Sequence, residues 1–178
     1  MASIVESCGG QYTPTQIDAW GRRPFDEAAR LAAIASSIVW VVTDVAMDAT
    51  EVEGFGRLVM STGGADGTAV KADVAQLYLR RRAQGAGAGK ALLRTLEACA
   101  LAGGADRVTL NASHTALPFY LSQGYVVAGP LVAFPLPSGV TIESTPLVKD
   151  LVPSRRSGSG GSSSPTHHAT AEESEPTR

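Results

Sequence analysis

The chain has 178 residues, of which 44% are hydrophobic and 18% charged, and its formal net charge is −2. That length and apolar content suit one core and one modest enzyme domain, and the near-neutral balance excludes a general binder of nucleic acid or membrane surfaces. Its two cysteines, Cys8 and Cys99, have no metal-ligand spacing and are read as reduced thiols, with Cys99 a small core residue.

At the N-terminus Glu6 stands where a signal peptide needs a basic run before an apolar stretch, so no signal peptide is expected. Thr13-Pro14-Thr15 marks a helix start, with Thr13 as the cap and Pro14 in the first helical position; Gln16, Ile17 and Trp20 follow on it. A second helix is predicted over 24–34, with Phe25, Ala28 and Ala32 inward. The longest apolar run, 31–42, holds two serines and falls short of the ~20 residues that a bilayer span needs. A soluble, cytoplasmic protein is expected. Ile38-Val-Trp-Val-Val42 is short and β-branched, which predicts a buried strand. Residues 53–60 read as its hairpin partner, Gly63-Gly64 and Gly67 as the next turn, and 73–79 as a strand.

A helix opens near Gly87. It carries Leu92, Leu96, Cys99 and Ala100 as one buried stripe and stops at Gly103-Gly104. Residues 107–110 form a short strand. Pro118 is costly deep in a helix, so the next helix is placed from near Thr115, with Pro118 in its first turn. Residues 125–134 and 141–151 then close the sheet, giving an α/β fold with helices on both faces. From Pro153 the chain turns to serine, glycine and polar residues that cannot bury enough apolar surface to offset ordering entropy. The reading is therefore one domain over 1–152 and a disordered tail over 153–178, in which His167-His168 are two solvated histidines; no metal site is indicated.

Residues 77–90 carry most of the chemistry: Leu-Tyr-Leu-Arg-Arg-Arg-Ala-Gln-Gly-Ala-Gly-Ala-Gly-Lys. An apolar strand enters a glycine-rich loop that opens directly into a helix. Glycines let the main chain approach a ligand closely and adopt positive φ, and the helix N-terminus offers unpaired N–H groups and a positive dipole end. The turn is built for a phosphate. A Walker A loop is excluded, because Gln84 stands at its first glycine and Ala91 at its magnesium-binding hydroxyl. The dinucleotide fingerprint fails as well: Lys90 or Leu92 occupies its last glycine position.

The stretch does resemble the signature of the GCN5-related N-acetyltransferase (GNAT) superfamily, in which a strand is followed by Gln/Arg-x-x-Gly-x-Gly/Ala and a helix; Gln84, Gly87 and Gly89 hold the signature positions. A second block, Leu110-Asn-Ala-Ser-His-Thr-Ala-Leu-Pro-Phe-Tyr-Leu-Ser-Gln-Gly-Tyr125, resembles the family's late helix. The resemblance spans roughly Tyr12 to Leu151. It implies a mixed, mostly antiparallel central sheet with helices on both faces. It also implies a strand before the first helix, yet only about ten residues precede Tyr12, so that strand is expected to be missing or altered.

The same resemblance implies acetyl-CoA as cosubstrate and an amine acceptor, with no nucleic acid or membrane partner and a homodimer left open. The strand before the loop would splay from its neighbour and offer the main chain of Leu77, Tyr78 and Leu79 to the pantetheine arm. The amides of Gly85, Ala86, Gly87, Ala88 and Gly89 would hold the pyrophosphate, flanked by Gln84 and Lys90, and Ser113 would contact the pantetheine arm. Tyr120 aligns with the general acid, and of the Phe119–Tyr120 pair its ring is the one expected to face the cofactor, with that of Phe119 in the core. The base is Asp73 or Glu53, ahead of His114, and Asn111 could cap a strand end. Arg80, Arg81 and Arg82 either meet the 3′-phosphate of CoA or form a solvated face. Two other readings stay open: a non-catalytic CoA-binding or interaction module, and an acyltransferase for a longer acyl-CoA. The acceptor is expected near Trp20, Phe25 and residues 131–138.

Overall fold

The computed structural model describes residues 12–21, 26–44, 51–63 and 69–151. Outside them lie Cys8 and the rest of the stretch before Tyr12, where the altered first strand was expected, and also Phe25, Gly64 and Gly67. The predicted tail, with its boundary at residue 152 and His167-His168, lies outside them too.

Helix α1 (Pro14–Gly21) starts as its sequence predicts. Thr13 Oγ1 accepts from the Gln16 amide at 3.2 Å and Gln16 Oε1 accepts from the Thr13 amide at 3.0 Å, a reciprocal cap that satisfies two helix-end donors. Helix α2 (Glu27–Ala35) is capped by the Asp26 carboxylate, which accepts from Ala29 N at 2.9 Å. None of its residues is buried, so Ala28 and Ala32 do not form the inner face expected of them.

Three long strands follow: β1 (Ile38–Thr43), β2 (Val52–Gly63) and β3 (Ala69–Leu79), successive antiparallel neighbours. Among the described residues β1 pairs only with β2 and is an edge. That is why Ile38, Trp40 and Val41 are exposed where a buried strand was predicted. Helix α3 (Ala88–Ala102), β4 (Arg107–Ala112) and α4 (Leu117–Ser122) come next; α4 begins two residues past Thr115, still with Pro118 in its first turn. The single strand predicted over 125–134 is two short pieces, β5 (Val126–Val127) and β6 (Val132–Pro135), both paired to β7 (Thr141–Asp150). Gly129 and Pro130 lie between them, and proline has no N–H for the ladder.

The sheet runs β1-β2-β3-β4-β7-β5, with β6 also on β7. Among the described residues only β3–β4 is parallel, so the sheet is mixed and mostly antiparallel, as expected. Helix α3 covers one face: a Cβ on Gly56 would come within 2.7 Å of Leu96. There Leu58, Leu93, Leu96, Val108, Leu110 and Leu147 form the core, each buried leucine contributing about 1.5–3 kcal/mol. On the other face Tyr78 joins Tyr12, Ile17 and Trp20 around α1. Cys99 is a half-buried free thiol beside the core rather than inside it. No helix among the described residues is long and apolar enough to cross a membrane.

Candidate active site

Strands β3 and β4 share just two rungs, Ala72↔Val108 and Asp73↔Thr109. Beyond them β3 stays with β2 as far as Leu79, while β4 follows β7 to Ala112. The β2–β3 register skips Ala75 between Val74 and Gln76, and such a bulge bends a strand and raises its twist. The two strands therefore part into a wedge. Its cavity, about 420 Å³, has Leu77, Tyr78 and Leu79 on one wall and Ser113, Thr115 and Ala116 on the other, with Phe119, Trp20 and the glycine loop around it. Arg80 N donates to Glu53 O at 2.8 Å. In an antiparallel ladder that parity turns the main-chain groups of Tyr78 toward β2 and those of Leu77 and Leu79 toward the open edge.

At the mouth the chain makes a short 3₁₀ turn (Arg81–Ala83) and then the loop. Gly85 and Gly87 have φ of +85° and +86°, a left-handed conformation that L side chains resist. A Cβ on Gly89 would sit 3.0 Å from Leu79 Cδ1, so the third glycine is needed for close packing. Gln84 Nε2 donates to Leu79 O at 3.1 Å and folds the loop back on the strand end. Gly87 caps α3 without a side-chain acceptor, so the first-turn amides of a 15-residue helix face the cavity mouth as an anion cradle. Nine of the eleven residues expected at the cofactor line the cavity; Ala86 and Ala88 do not.

In two of its three positions the arginine run is exposed, as a solvated face would be, but paired rather than free in solvent. Arg80 pairs with Glu51, and Arg82 grips both Glu51, at 2.7 Å, and Glu53. Glu53 is only 5% exposed, so the pair clamps the loop to β2. The Arg82 hydrogen bonds hold the Glu53 carboxyl below the usual glutamate range. Asp73 stands on the last rung before the wedge opens and accepts from Thr109 Oγ1 at 2.9 Å. Burial raises its pKa, against the opposing pull of Thr109 and Arg57.

Tyr120 is 6% exposed and belongs to the core, edge-on to Phe119 and Tyr125. The expected partition of the pair is reversed: the Phe119 ring lines the cavity and the Tyr120 ring packs in the core, because the rotation of α4 on the sheet, not the motif position, decides which ring turns inward. Burial pushes the Tyr120 phenol up, and Tyr78, a cavity residue, adds to the rise. The His114 ring lies 5.5 Å from that of Tyr12, and its amide donates to Tyr12 Oη at 3.0 Å. Asn111 pairs with Pro146 inside the β4–β7 ladder and caps nothing.

Sequence reasoning missed Thr115, Ala116 and Phe119 as lining residues. Their signal was positional: Phe119 adjoins the singled-out tyrosine, and Thr115-Ala116 leads from β4 into α4. Thr115 Oγ1 is buried with no hydrogen-bond partner, an orphaned polar atom in a residue that lines the cavity. With the open edge of β3 and the glycine cradle, this fits a polar, phosphate-bearing ligand.

Residues 14–135 match the Acetyltransferase (GNAT) domain family. No curated protein is significantly similar in sequence. Among solved structures, a GCN5-related N-acetyltransferase from Rhodopseudomonas palustris is 26% identical, with a TM-score of 0.68 over 84% of this chain and 83% of that one. The PaiA N-acetyltransferase of Thermoplasma acidophilum, solved with coenzyme A, is 18% identical (TM-score 0.57, covering 84% and 86%). Naa20 of Chaetomium thermophilum, solved with a bisubstrate analogue, is 19% identical (TM-score 0.58, covering 78% and 84%). The chain belongs to the GNAT acetyltransferase family.

Proposed function

We propose that this domain transfers an acetyl group from acetyl-CoA to a primary amine of a small molecule or protein, by direct attack of the amine on the thioester. The observation that carries the reading is the open edge of β3 running into the glycine cradle. The main chain of Leu77 suits an amide-rich arm beside the Leu79 carbonyl that Gln84 holds, and the α3 amides suit a diphosphate. The likeness to an N-acetyltransferase solved with coenzyme A supports the choice of carrier. The carrier supplies an activated acyl group; positioning and proton handling fall to the protein.

Asp73 is the better base of the two carboxylates. An amine acceptor arrives as ammonium and must lose a proton, so a carboxylate of raised pKa at the wedge apex is suited to take it, directly or through water. Glu53 is held ionised by Arg82 and is the weaker acceptor; its work is to hold the loop. Tyr120, aligned with the family's general acid, acts in this reading as a hydrogen-bond donor and keeps its proton. A phenol near ~10 already holds its proton more tightly than a thiol near ~8.5, and burial widens the gap. Its hydroxyl therefore stabilises the departing thiolate by donating a hydrogen bond.

Incubation with acetyl-CoA and a panel of primary amines, followed by detection of free thiol, tests the proposal. Turnover on at least one amine is expected. Tight CoA binding with no turnover on any amine contradicts it and leaves a non-catalytic CoA-binding module.

A further inference from the structure

Beside the main cavity lies a second, polar one of about 170 Å³, between the first half of α3 and the end of α4. Lys90, Arg94, Glu97, Ser122, Gln123 and Lys149 line it, and Lys90 lines both cavities. Its one carboxylate is already engaged: both Glu97 oxygens accept from Lys149 Nζ at 2.9 Å. Its two small polar residues are turned on each other and on the helix end, since Ser122 Oγ donates to Phe119 O at 2.6 Å and Gln123 Nε2 donates to Ser122 Oγ at 2.9 Å. Lys90 and Arg94 remain. Four residues apart on α3, they share one helix face, and among the described residues neither enters an ion pair.

We propose that Lys90 and Arg94 form a second anion subsite that holds the 3′-phosphate of the carrier's nucleotide. This rests on the reading of the main cavity as a CoA site. Three observations favour it over the arginine run. Arg80 and Arg82 are committed to Glu51 and Glu53, and releasing Arg82 would strip the counter-charge from a buried carboxylate. The second cavity adjoins the cradle through Lys90. At 1.5 Å per residue, Arg94 lies about 7.5 Å along the helix axis from Gly89, enough to span a ribose carrying phosphates on its 5′ and 3′ oxygens. Two cations on one phosphate give the charge-assisted contacts that discriminate a phosphorylated ligand from its dephosphorylated form.

Calorimetric titration of the full chain with CoA and with dephospho-CoA, which lacks only this phosphate, tests the proposal. The protein is expected to bind CoA roughly tenfold or more tightly than dephospho-CoA, the scale of one charged hydrogen bond. Arg94→Glu, at an exposed position past the diphosphate cradle, is expected to erase that preference by weakening CoA alone, and Arg81→Ala to retain it. Equal affinity of the unaltered protein for both carriers overturns the subsite and leaves the main cavity's reading intact. Loss of the preference in Arg81→Ala with retention in Arg94→Glu also overturns it. Binding of neither carrier overturns both readings.

Discussion

In its first half β3 has a strand on either side at Ala72 and Asp73: Asp73 lies between Val59 of β2 and Thr109 of β4, and Ala72 and Val74 are buried in the core. In its second half the same strand keeps β2 on one side only, and Leu77, Tyr78 and Leu79 line a cavity on the other. The bulge at Ala75 is the joint between the two. The first half bonds to a strand on either side, whereas the second turns the Leu77 main chain to the cavity and lends the Leu79 carbonyl to Gln84. A strand can be left open in this way because its other half and β2 anchor it, and because the Arg82–Glu53 pair pins the segment that follows.

The division can be broken most forcefully at the anchored end. Leu58, fully buried on β2 opposite Val74, should cost about 2–5 kcal/mol on substitution by alanine, read by urea denaturation, with the CoA affinity of the folded fraction unchanged. A matching loss of affinity would mean that the two halves are not separable. At the open end, Tyr120→Phe should lower kcat about 10²-fold, as loss of one preorganised hydrogen-bond donor does, and leave the KM for acetyl-CoA nearly constant; a change confined to KM would assign Tyr120 to packing alone. Gly87→Val places a β-branched residue at φ +86° and should cost about 1–2 kcal/mol while weakening CoA binding, in contrast to Leu58→Ala.

The smallest effects sharpen the comparison through pH. Asp73 binds its proton more tightly when folded than the usual 3.8, so its contribution to stability is complete below that value and is lost as pH rises through the raised one. Glu53 behaves oppositely: its contribution is present above the usual 4.5 and is lost as pH falls through the lowered value. Denaturation across pH should show Asp73→Asn gaining on the unaltered protein toward neutrality, and Glu53→Gln losing there and converging with it in acid. In activity, Asp73 as base puts the acidic limb of kcat/KM above the usual aspartate range. A limb that survives Asp73→Asn unchanged removes Asp73 from that role.

The loop was legible in the sequence because its information is local: Gly85, Gly87 and Gly89 with a helix behind them can be read from consecutive residues. So was the cap at Thr13, where the donor and acceptor are three positions apart. What escaped depends on register. Arg82 meets Glu53 across 29 positions, and only the alignment Gly54↔Leu79 brings the two together. The bulge at Ala75 leaves no composition signal, yet it opens the wedge. The partition of Phe119 to the cavity and Tyr120 to the core depends on how α4 is rotated on the sheet. The exposure of β1 depends on what lies beside it rather than on its β-branched composition.

Amide hydrogen exchange with and without CoA tests the central claim most directly, because it reads the main chain of both halves of β3 in one experiment. The account predicts slowed exchange at Leu77 and Leu79 and from Gly85 to Lys90, with Ala72 and Asp73 unchanged. Protection absent from Leu77 to Lys90 under saturating CoA, or spread evenly along β3, would contradict it.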